Sequence, residues 1–241
     1  ASGDLYLLPD RLLSVARQQI ALGQTDKAIS AFETAEDAAN LVLAWATKVQ
    51  TRTALVSTLT ELYRAHFQFY AQRGDVERAF RVLESSRART TREVIANETI
   101  GDERFIALRA KLAAAASLDD IHTASIDVSK ENEAKWTDHQ RRIVQPTDLK
   151  GIRAGLGPKA VLLEYALTEA SAYCIVITKT SARIVSLPLG EKAVSALVRR
   201  YVDILKQKGE DRRLAQELYA AILGPMTELS GHEEVMISRD G

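Results

Sequence analysis

The stretch AVLLEYALTEASAYCIVITKTSARIVSL, residues 160–187, decides the fold of the second half of this chain. Its β-branched and aromatic residues fall into three runs, which predict strands over residues 160–168, 172–178 and 183–187. Only the short polar segments 169–171 and 179–181 separate these runs. Connections that short join antiparallel strands, because a parallel crossover needs a dozen residues or more. We therefore predict an antiparallel sheet of three consecutive strands.

The residues on either side of this sheet complete an α/β domain. Thr147 is placed to cap a short helix that ends near Gly155, just before the first strand. Two further helices are predicted over residues 191–208 and 212–223, and a fourth strand over residues 233–238. Functional loops of α/β folds follow the ends of strands. Because the sequence stops directly after the fourth strand, we expect this domain to be cut short.

The first half of the chain has a helical composition. Glycine and proline are nearly absent from residues 11–145, where Ala, Leu, Glu, Arg and Gln dominate. Helix breaks are predicted at Gly23, at Gly74 with Asp75, and at Gly101 with Asp102. Residues 101–146 have a weaker pattern, which predicts an exposed helical hairpin or arm. Its expected points of contact are Trp136, Ile143 and Val144.

Two segments of the helical half share one pattern. Residues 23–35 read GQTDKAISAFETA and residues 74–86 read GDVERAFRVLESS. A turn is followed by small and large apolar residues at the spacing found in the second helix of a tetratricopeptide (TPR) repeat. The two segments lie 51 residues apart instead of about 34, so a plain antiparallel helical bundle remains an alternative. Stacked helical pairs usually bind peptides or proteins, and we expect such a partner here.

Three stretches in a fixed order resemble the TPR-associated caspase-like CHAT proteins over roughly residues 60–241. AFRVLESSRAR at residues 79–89 ends the helical repeats, and AVLLEY at residues 160–165 opens the sheet. LYAAILGP at residues 218–225 then precedes VMISRDG at residues 235–241. Arg239 departs from that family, which typically has proline before the Asp-Gly pair.

The resemblance implies an α + α/β fold, with a TPR-like helical region followed by a truncated caspase-like α/β domain of about four strands. The expected domains are TPR-like repeats over 1–100, the arm over 101–146 and the CHAT domain over 147–241. In that family a His-Gly after one central strand and a cysteine after the next form the peptidase dyad. Both would lie beyond Gly241. The resemblance implies the regulatory and scaffolding portion of a cysteine peptidase, or a non-catalytic TPR adaptor.

The charge balance and the single cysteine limit the classes of binding partner and the cellular compartments that fit this chain. The 32 basic and 32 acidic side chains balance, so no global field draws the chain to nucleic acid or to an anionic membrane. The arginines at positions 78, 81, 87, 89 and 92 are interleaved with the glutamates at 77, 84 and 93, which is typical of a solvated helix face. A single cysteine excludes a disulfide framework and fits a reducing compartment such as the cytoplasm. No apolar run approaches the roughly 20 residues of a membrane span.

Two residues are spaced like a caspase dyad, since His122 lies 52 residues before Cys174. Cys174, however, falls inside the apolar run of the predicted second strand, where burial raises a thiol pKa instead of lowering it. We therefore interpret Cys174 as a core residue. We interpret Glu164 in the first strand as a pairing or edge residue, in preference to a functional carboxylate.

The remaining candidates also favour structural roles. His66, His122, His139 and His232 have no metal-ligand spacing. His66 is predicted to be a hydrogen-bonded core residue on an apolar helix face, and His232 a loop residue. The glycines and lysine of residues 151–159 precede a strand, whereas a phosphate loop must follow one and open a helix. The sequence thus predicts no catalytic residue, cofactor site or metal site within this chain.

Overall fold

A computed structural model describes residues 5–45, 49–96, 120, 123, 147–168 and 171–238. Contacts between Cα atoms divide the described chain into two compact units. The first, here called the helical unit, contains residues 5–66 and 84–96. The second, the sheet unit, contains residues 67–83 and 147–238. The sheet unit therefore includes residues 67–83 of the helical half. The predicted division into domains 1–100, 101–146 and 147–241 stays a prediction.

Four long helices occupy the first half of the described chain. After a 3-10 turn at Leu5–Leu7, they are α1 Leu8–Ala21, α2 Thr25–Trp45, α3 Val49–Ala71 and α4 Val76–Ala96. The breaks predicted at Gly23 and Gly74 are confirmed. The predicted break at Gly101, and the arm over residues 101–146 with its contact residues, lie outside the described residues apart from helical positions at 120 and 123.

The turn between α1 and α2 is built around Gly23, whose φ of +70° is the left-handed conformation that favours glycine. The amide of Gly23 donates to the carbonyl of Ile20 at 3.0 Å, and the amide of Gln24 to that of Gln19 at 2.9 Å. This pair of bonds is a Schellman motif, which satisfies carbonyls left open at the end of a helix.

The turn between α3 and α4 has the same construction around Gly74, whose φ is +69°. The Gly74 amide donates to Ala71 at 3.1 Å and the Asp75 amide to Tyr70 at 3.1 Å. In each turn a further hydrogen bond begins the next helix: the Ala28 amide donates to the Gln24 carbonyl, and the Ala79 amide donates to the Asp75 carbonyl. These three bonds therefore recur in the two turns at a separation of 51 residues.

The core of the helical unit lies on one face of α2. Small residues there pack at zero or near-zero exposure around Phe32, which is fully buried; they are Ala28, Ala31, Ala35, Ala38 and Ala39. Helix α1 packs against α2 through Leu12, Leu13 and Ala16. Alanine lets the helices approach closely while Phe32 fills the remaining space.

The sheet unit follows the predicted order of elements. It contains α5 Leu149–Gly155, β1 Ala160–Leu167, β2 Ala172–Thr178, β3 Ala182–Leu187, α6 Glu191–Lys206, α7 Arg212–Ile222, a 3-10 helix Thr227–Gly231 and β4 Glu234–Ser238. One detail of the prediction is wrong. Asp148, not Thr147, caps α5, because its Oδ1 accepts the Gly151 amide at 2.6 Å. A carboxylate also interacts favourably with the helix dipole at that end.

The sheet is mixed, with strand order β3-β2-β1-β4. The two predicted hairpins are confirmed, since β1 with β2 and β2 with β3 are antiparallel. Strand β4 returns to pair with β1 in parallel, so β1 is an inner strand. Glu164 lies opposite Ile175 in β2 and opposite Ser238 in β4. The described chain is thus a helical region followed by a mixed α/β sheet region.

Strand β2 is buried along its whole length, on both faces of the sheet. One face carries a cluster of Val161, Leu163, Cys174, Val176 and Val185, covered by Met226, Leu223 and Leu229. On the other face the Tyr173 ring meets the Phe67 ring edge-on at 5.8 Å between centroids. Phe67 is in the end of α3 that belongs to the sheet unit.

We expect Gly23→Ala to destabilise the protein by about 1–2 kcal/mol, because a Cβ is strained at positive φ even where space is open. Gly155→Ala is the matched control at a helix end with ordinary φ and no atom near its Cβ. It should be neutral or stabilising by about 0.4–1 kcal/mol. Urea unfolding measures both, and equal effects of the two substitutions would contradict the role assigned to Gly23.

Candidate functional site: the single cysteine and an exposed face of α1

Cys174 lies in the middle of β2 with no exposed surface. Burial raises the pKa of its thiol to about 12, and the nearby negative charges of Glu164 and Glu228 act in the same direction. A nucleophilic cysteine needs exposure and a cationic neighbour that outweighs such effects. The prediction that Cys174 is a core residue is confirmed. His122 lies outside the described residues.

Tyr165 stands beside Cys174 on the same face of the sheet, since the two residues are opposite one another in β1 and β2. Its hydroxyl donates to the carbonyl of Ile222 at 2.8 Å, which ties β1 to the end of α7. Burial, with a smaller contribution from Cys174, raises the pKa of Tyr165. The phenol therefore stays protonated and acts as a structural donor.

Glu164 is 4% exposed and lies on an inner strand. The edge alternative is therefore wrong, while strand pairing on both sides is confirmed. Because side chains alternate along a strand, Glu164 points to the face opposite Cys174 and Tyr165. The carboxylate and the thiol are thus on different sides of the sheet and do not form one site.

The predicted core role of His66 is confirmed, since the residue is 3% exposed in α3. Its ring stacks on Phe32 with 4.6 Å between centroids, and its Nδ1 lies 2.5 Å from Oε1 of Glu36. This contact fixes α3 to α2 in the helical unit. His232 is a loop residue, as predicted; it directly follows the 3-10 helix, and its Nδ1 lies 2.5 Å from the Glu228 carbonyl oxygen. His139 lies outside the described residues.

No group of three metal-ligating side chains occurs among the residues that the structure describes. Residues 151–159 run from α5 into β1, so they precede a strand as expected and do not form a phosphate loop. On α4, Glu77, Arg78 and Arg81 are exposed, in keeping with a solvated face of mixed charge, whereas the Arg87–Glu84 pair at 3.2 Å is partly buried. Within the described part of the chain, no helix has both the length and the apolar content to cross a membrane.

Three apolar side chains in and beside α1 are exposed. Leu7, Val15 and Leu22 are 50%, 40% and 66% exposed. At 3.6 residues per turn they lie within a sector of about 80°. The opposite face carries the buried residues Pro9, Leu12, Leu13 and Ala16. Leu7 belongs to the 3-10 turn before α1 and Leu22 directly follows α1, while the exposed side chains of Arg11 and Gln18 lie in the same sector. We call Leu7, Val15 and Leu22 the outer face of α1.

A bidentate ion pair of the sheet unit joins β3 to the 3-10 helix. Arg183 Nε lies 2.5 Å from Glu228 Oε1, and Nη2 lies 2.7 Å from Oε2, so the pair is bidentate. Hydrogen bonding to Arg183 lowers the pKa of Glu228, and the same bond raises the pKa of Arg183. The pair holds Met226, which covers Cys174, against the sheet.

Comparison with protein-family models, with curated proteins and with solved structures finds no match for this chain.

Two features of the site were not predicted from the sequence. The Arg183–Glu228 pair joins residues 45 positions apart, and no local spacing marks it. The outer face of α1 could have been found, because residues 7, 15 and 22 recur on one side of a helical projection. Its neighbours 12, 13 and 16 have the same kind of spacing, so the sequence alone did not separate the buried face from the exposed one.

We expect the Cys174 thiol to be unreactive toward a disulfide reagent such as DTNB at pH 8 in native buffer, because its thiolate is scarce and covered. In guanidinium chloride one thiol per chain should react. A rapid reaction in native buffer, at the rate of a free thiol, would show that Cys174 is accessible.

Arg183→Met should destabilise the protein by about 1 kcal/mol at pH 7, a value discounted because the Arg183 side chain is 42% exposed. Since folding lowers the pKa of Glu228, the pair contributes above the unfolded value of 4.5 and is lost as pH falls through the folded pKa. The difference between variant and wild type should therefore shrink in urea unfolding below pH 4.5. Arg213→Met on α7 is the control, and a pH-independent difference would contradict this assignment.

Proposed function

We propose that this chain is a protein-interaction scaffold, and more specifically the regulatory portion of a CHAT-type cysteine peptidase whose TPR-like helices receive a protein or peptide partner. The observation that carries the proposal is the pair of matching turns at Gly23 and Gly74. A Schellman turn that recurs and is followed each time by a helix with a fully buried alanine, Ala28 and Ala79, supports a helical repeat.

The outer face of α1 supplies the docking surface of the proposal. It offers leucine and valine side chains at helical spacing, with Arg11 and Gln18 between them in the sequence. An amphipathic peptide segment with spaced apolar anchors would bury Leu7, Val15 and Leu22 and would place polar groups against Arg11 and Gln18, whose side chains lie in the same sector. The partner is therefore expected to be a peptide with spaced apolar anchors.

The chemistry of Cys174 supports a regulatory role over a catalytic one for these residues. The only cysteine of the chain is buried and has a raised pKa, so it is poorly suited to attack a peptide bond. The proposal places the catalytic histidine and cysteine of the peptidase outside residues 1–241. The alternative is a non-catalytic adaptor, in which the sheet unit is a structural platform only.

A selection from a random peptide library tests the docking surface. Peptides enriched on the wild-type chain should bind with micromolar affinity, and Val15→Asp with Leu22→Asp should weaken them at least about tenfold by placing charge on an apolar contact. Tyr219→Asp, a 55% exposed aromatic on α7, is the matched control and should change nothing. Failure to enrich any peptide, or binding that ignores the double substitution, would reject this surface.

A peptidase assay tests the regulatory assignment separately. Residues 1–241 alone should not cleave a broad peptide library, and cleavage abolished by Cys174→Ala would overturn the proposal. The natural coding sequence beyond Gly241 separates its two forms. A strand followed by His-Gly and a later strand followed by cysteine favours the peptidase, whereas a continuation lacking both favours the adaptor.

A further inference from the structure

A cavity of about 280 Å³ opens on the sheet unit between α5 and the turn that joins β2 to β3. Its lining residues are Lys150, Arg153, Ala154 and Lys179. The first three lie on one face of α5, since they are separated by three and four positions. Three of the four side chains are cationic and none is a carboxylate. We call this the basic cavity.

The cations of the basic cavity are held by anchored elements. Arg153 Nη2 donates to the Thr180 carbonyl at 2.6 Å, and Lys179 Nζ donates to the Leu156 carbonyl at 3.0 Å. These reciprocal bonds tie α5 to the turn. The turn itself is fixed by Thr178 Oγ1, which accepts the Ser181 amide at 3.0 Å. A site on such elements loses little conformational entropy when a ligand binds.

The positive charge of the basic cavity is not neutralised by the described protein. The recorded partners of Arg153 and Lys179 are backbone carbonyls, and no salt bridge joins Lys150, Arg153 or Lys179 to a described carboxylate. Elsewhere in this unit Arg183 and Lys159 each have a glutamate partner. Like charges gathered at one opening repel each other, and an anion would relieve that repulsion.

Donor capacity remains at the basic cavity after these contacts are counted. A lysine ammonium has three donors and an arginine five, and the recorded bonds use one donor each of Lys179 and Arg153. The Nε of Arg153 is buried and lacks a hydrogen-bond acceptor among the described residues. Because that atom is buried, a ligand in the basic cavity would be held by the remaining Nη donors of Arg153 and by the two lysine ammonium groups.

We propose that the basic cavity binds the phosphate group of a small phosphomonoester. A phosphate dianion carries enough charge to balance two of the three cations, and its oxygens accept several hydrogen bonds at once. The cavity volume lies just below the 300–1,000 Å³ of ordinary small-molecule pockets, so it takes the phosphate and leaves the rest of the ligand outside.

This site is a different structure from the phosphate loop excluded above. In a phosphate loop, backbone amides at the start of a helix hold the anion. Here the Gly151 amide is already used by the Asp148 cap, and side chains supply the donors. A nucleic-acid backbone is a poorer fit, because it needs a track of cations along a surface instead of one opening.

A phosphate titration followed by NMR tests the proposal on the full chain. Inorganic phosphate, added at constant ionic strength against chloride, should shift amides of residues 149–156 and 178–181 in a saturable way, with Kd on the order of 1 mM. Lys150→Gln should weaken binding about five- to tenfold, because it removes one charge-assisted contact without a recorded structural bond. Lys192→Gln, an exposed lysine on α6, should leave Kd unchanged.

Phosphoserine and a nucleoside monophosphate are the comparison ligands. Equal affinity for all three would show that the site recognises the phosphate group alone, and tighter binding of one would identify the ligand that carries it. Absence of saturable shifts in the wild type would overturn the proposal. So would equal losses in Lys150→Gln and Lys192→Gln, since they would trace binding to overall charge. None of these outcomes depends on the proposed interaction or peptidase function.

Discussion

Burial of β2 on both faces is the constraint on which the sheet unit depends. All seven residues of Ala172–Thr178 are buried, and such a strand is stable only when other elements cover both sides of it. The Met226 region covers the side of Cys174, and Phe67 at the end of α3 meets Tyr173 on the other side. The last residues of α3, from Phe67 onward, therefore belong to the sheet unit.

The parts of the fold that the sequence predicts well are those set by neighbouring residues. Strands β1 to β3 follow from apolar runs bounded by short polar turns, and the helix breaks follow from Gly23 and Gly74, where only glycine adopts the conformation easily. The sequence offers two adjacent residues of types that cap helices, Thr147 and Asp148, and the pattern alone favours Thr147. The structure decides for Asp148 by a single hydrogen bond.

Features that join distant residues could not be predicted in this way. The parallel pairing of β4 with β1 and the contact of Arg183 with Glu228 depend on the path of α6 and α7 between them. The prediction that Cys174 is inert needed only its apolar neighbours. Its raised pKa agrees, because desolvation by the surrounding strands is the main cause.

Two arginines in the sheet unit illustrate how environment decides the role of a residue type. Arg183 meets Glu228 in a bidentate pair, so its charge is satisfied within the protein and serves stability. Arg153 meets a backbone carbonyl and two lysines across a cavity, so its charge remains available to a ligand. Composition alone, with its equal numbers of acids and bases, conceals this difference.

The strand order also has a consequence for how the protein is made. β1 pairs with β2 across a short turn, but its other edge receives β4 only after a long excursion: Lys159 and Glu233, which meet where that pairing begins, are 74 residues apart. At translation rates of about 5–20 residues per second, β4 is synthesised some 4–15 s after β1. During that interval one edge of β1 has no partner from the sheet, and unpaired strand edges recruit other strands. The edge of β1 is therefore open to pairing with other chains until α6, α7 and β4 have followed it from the ribosome.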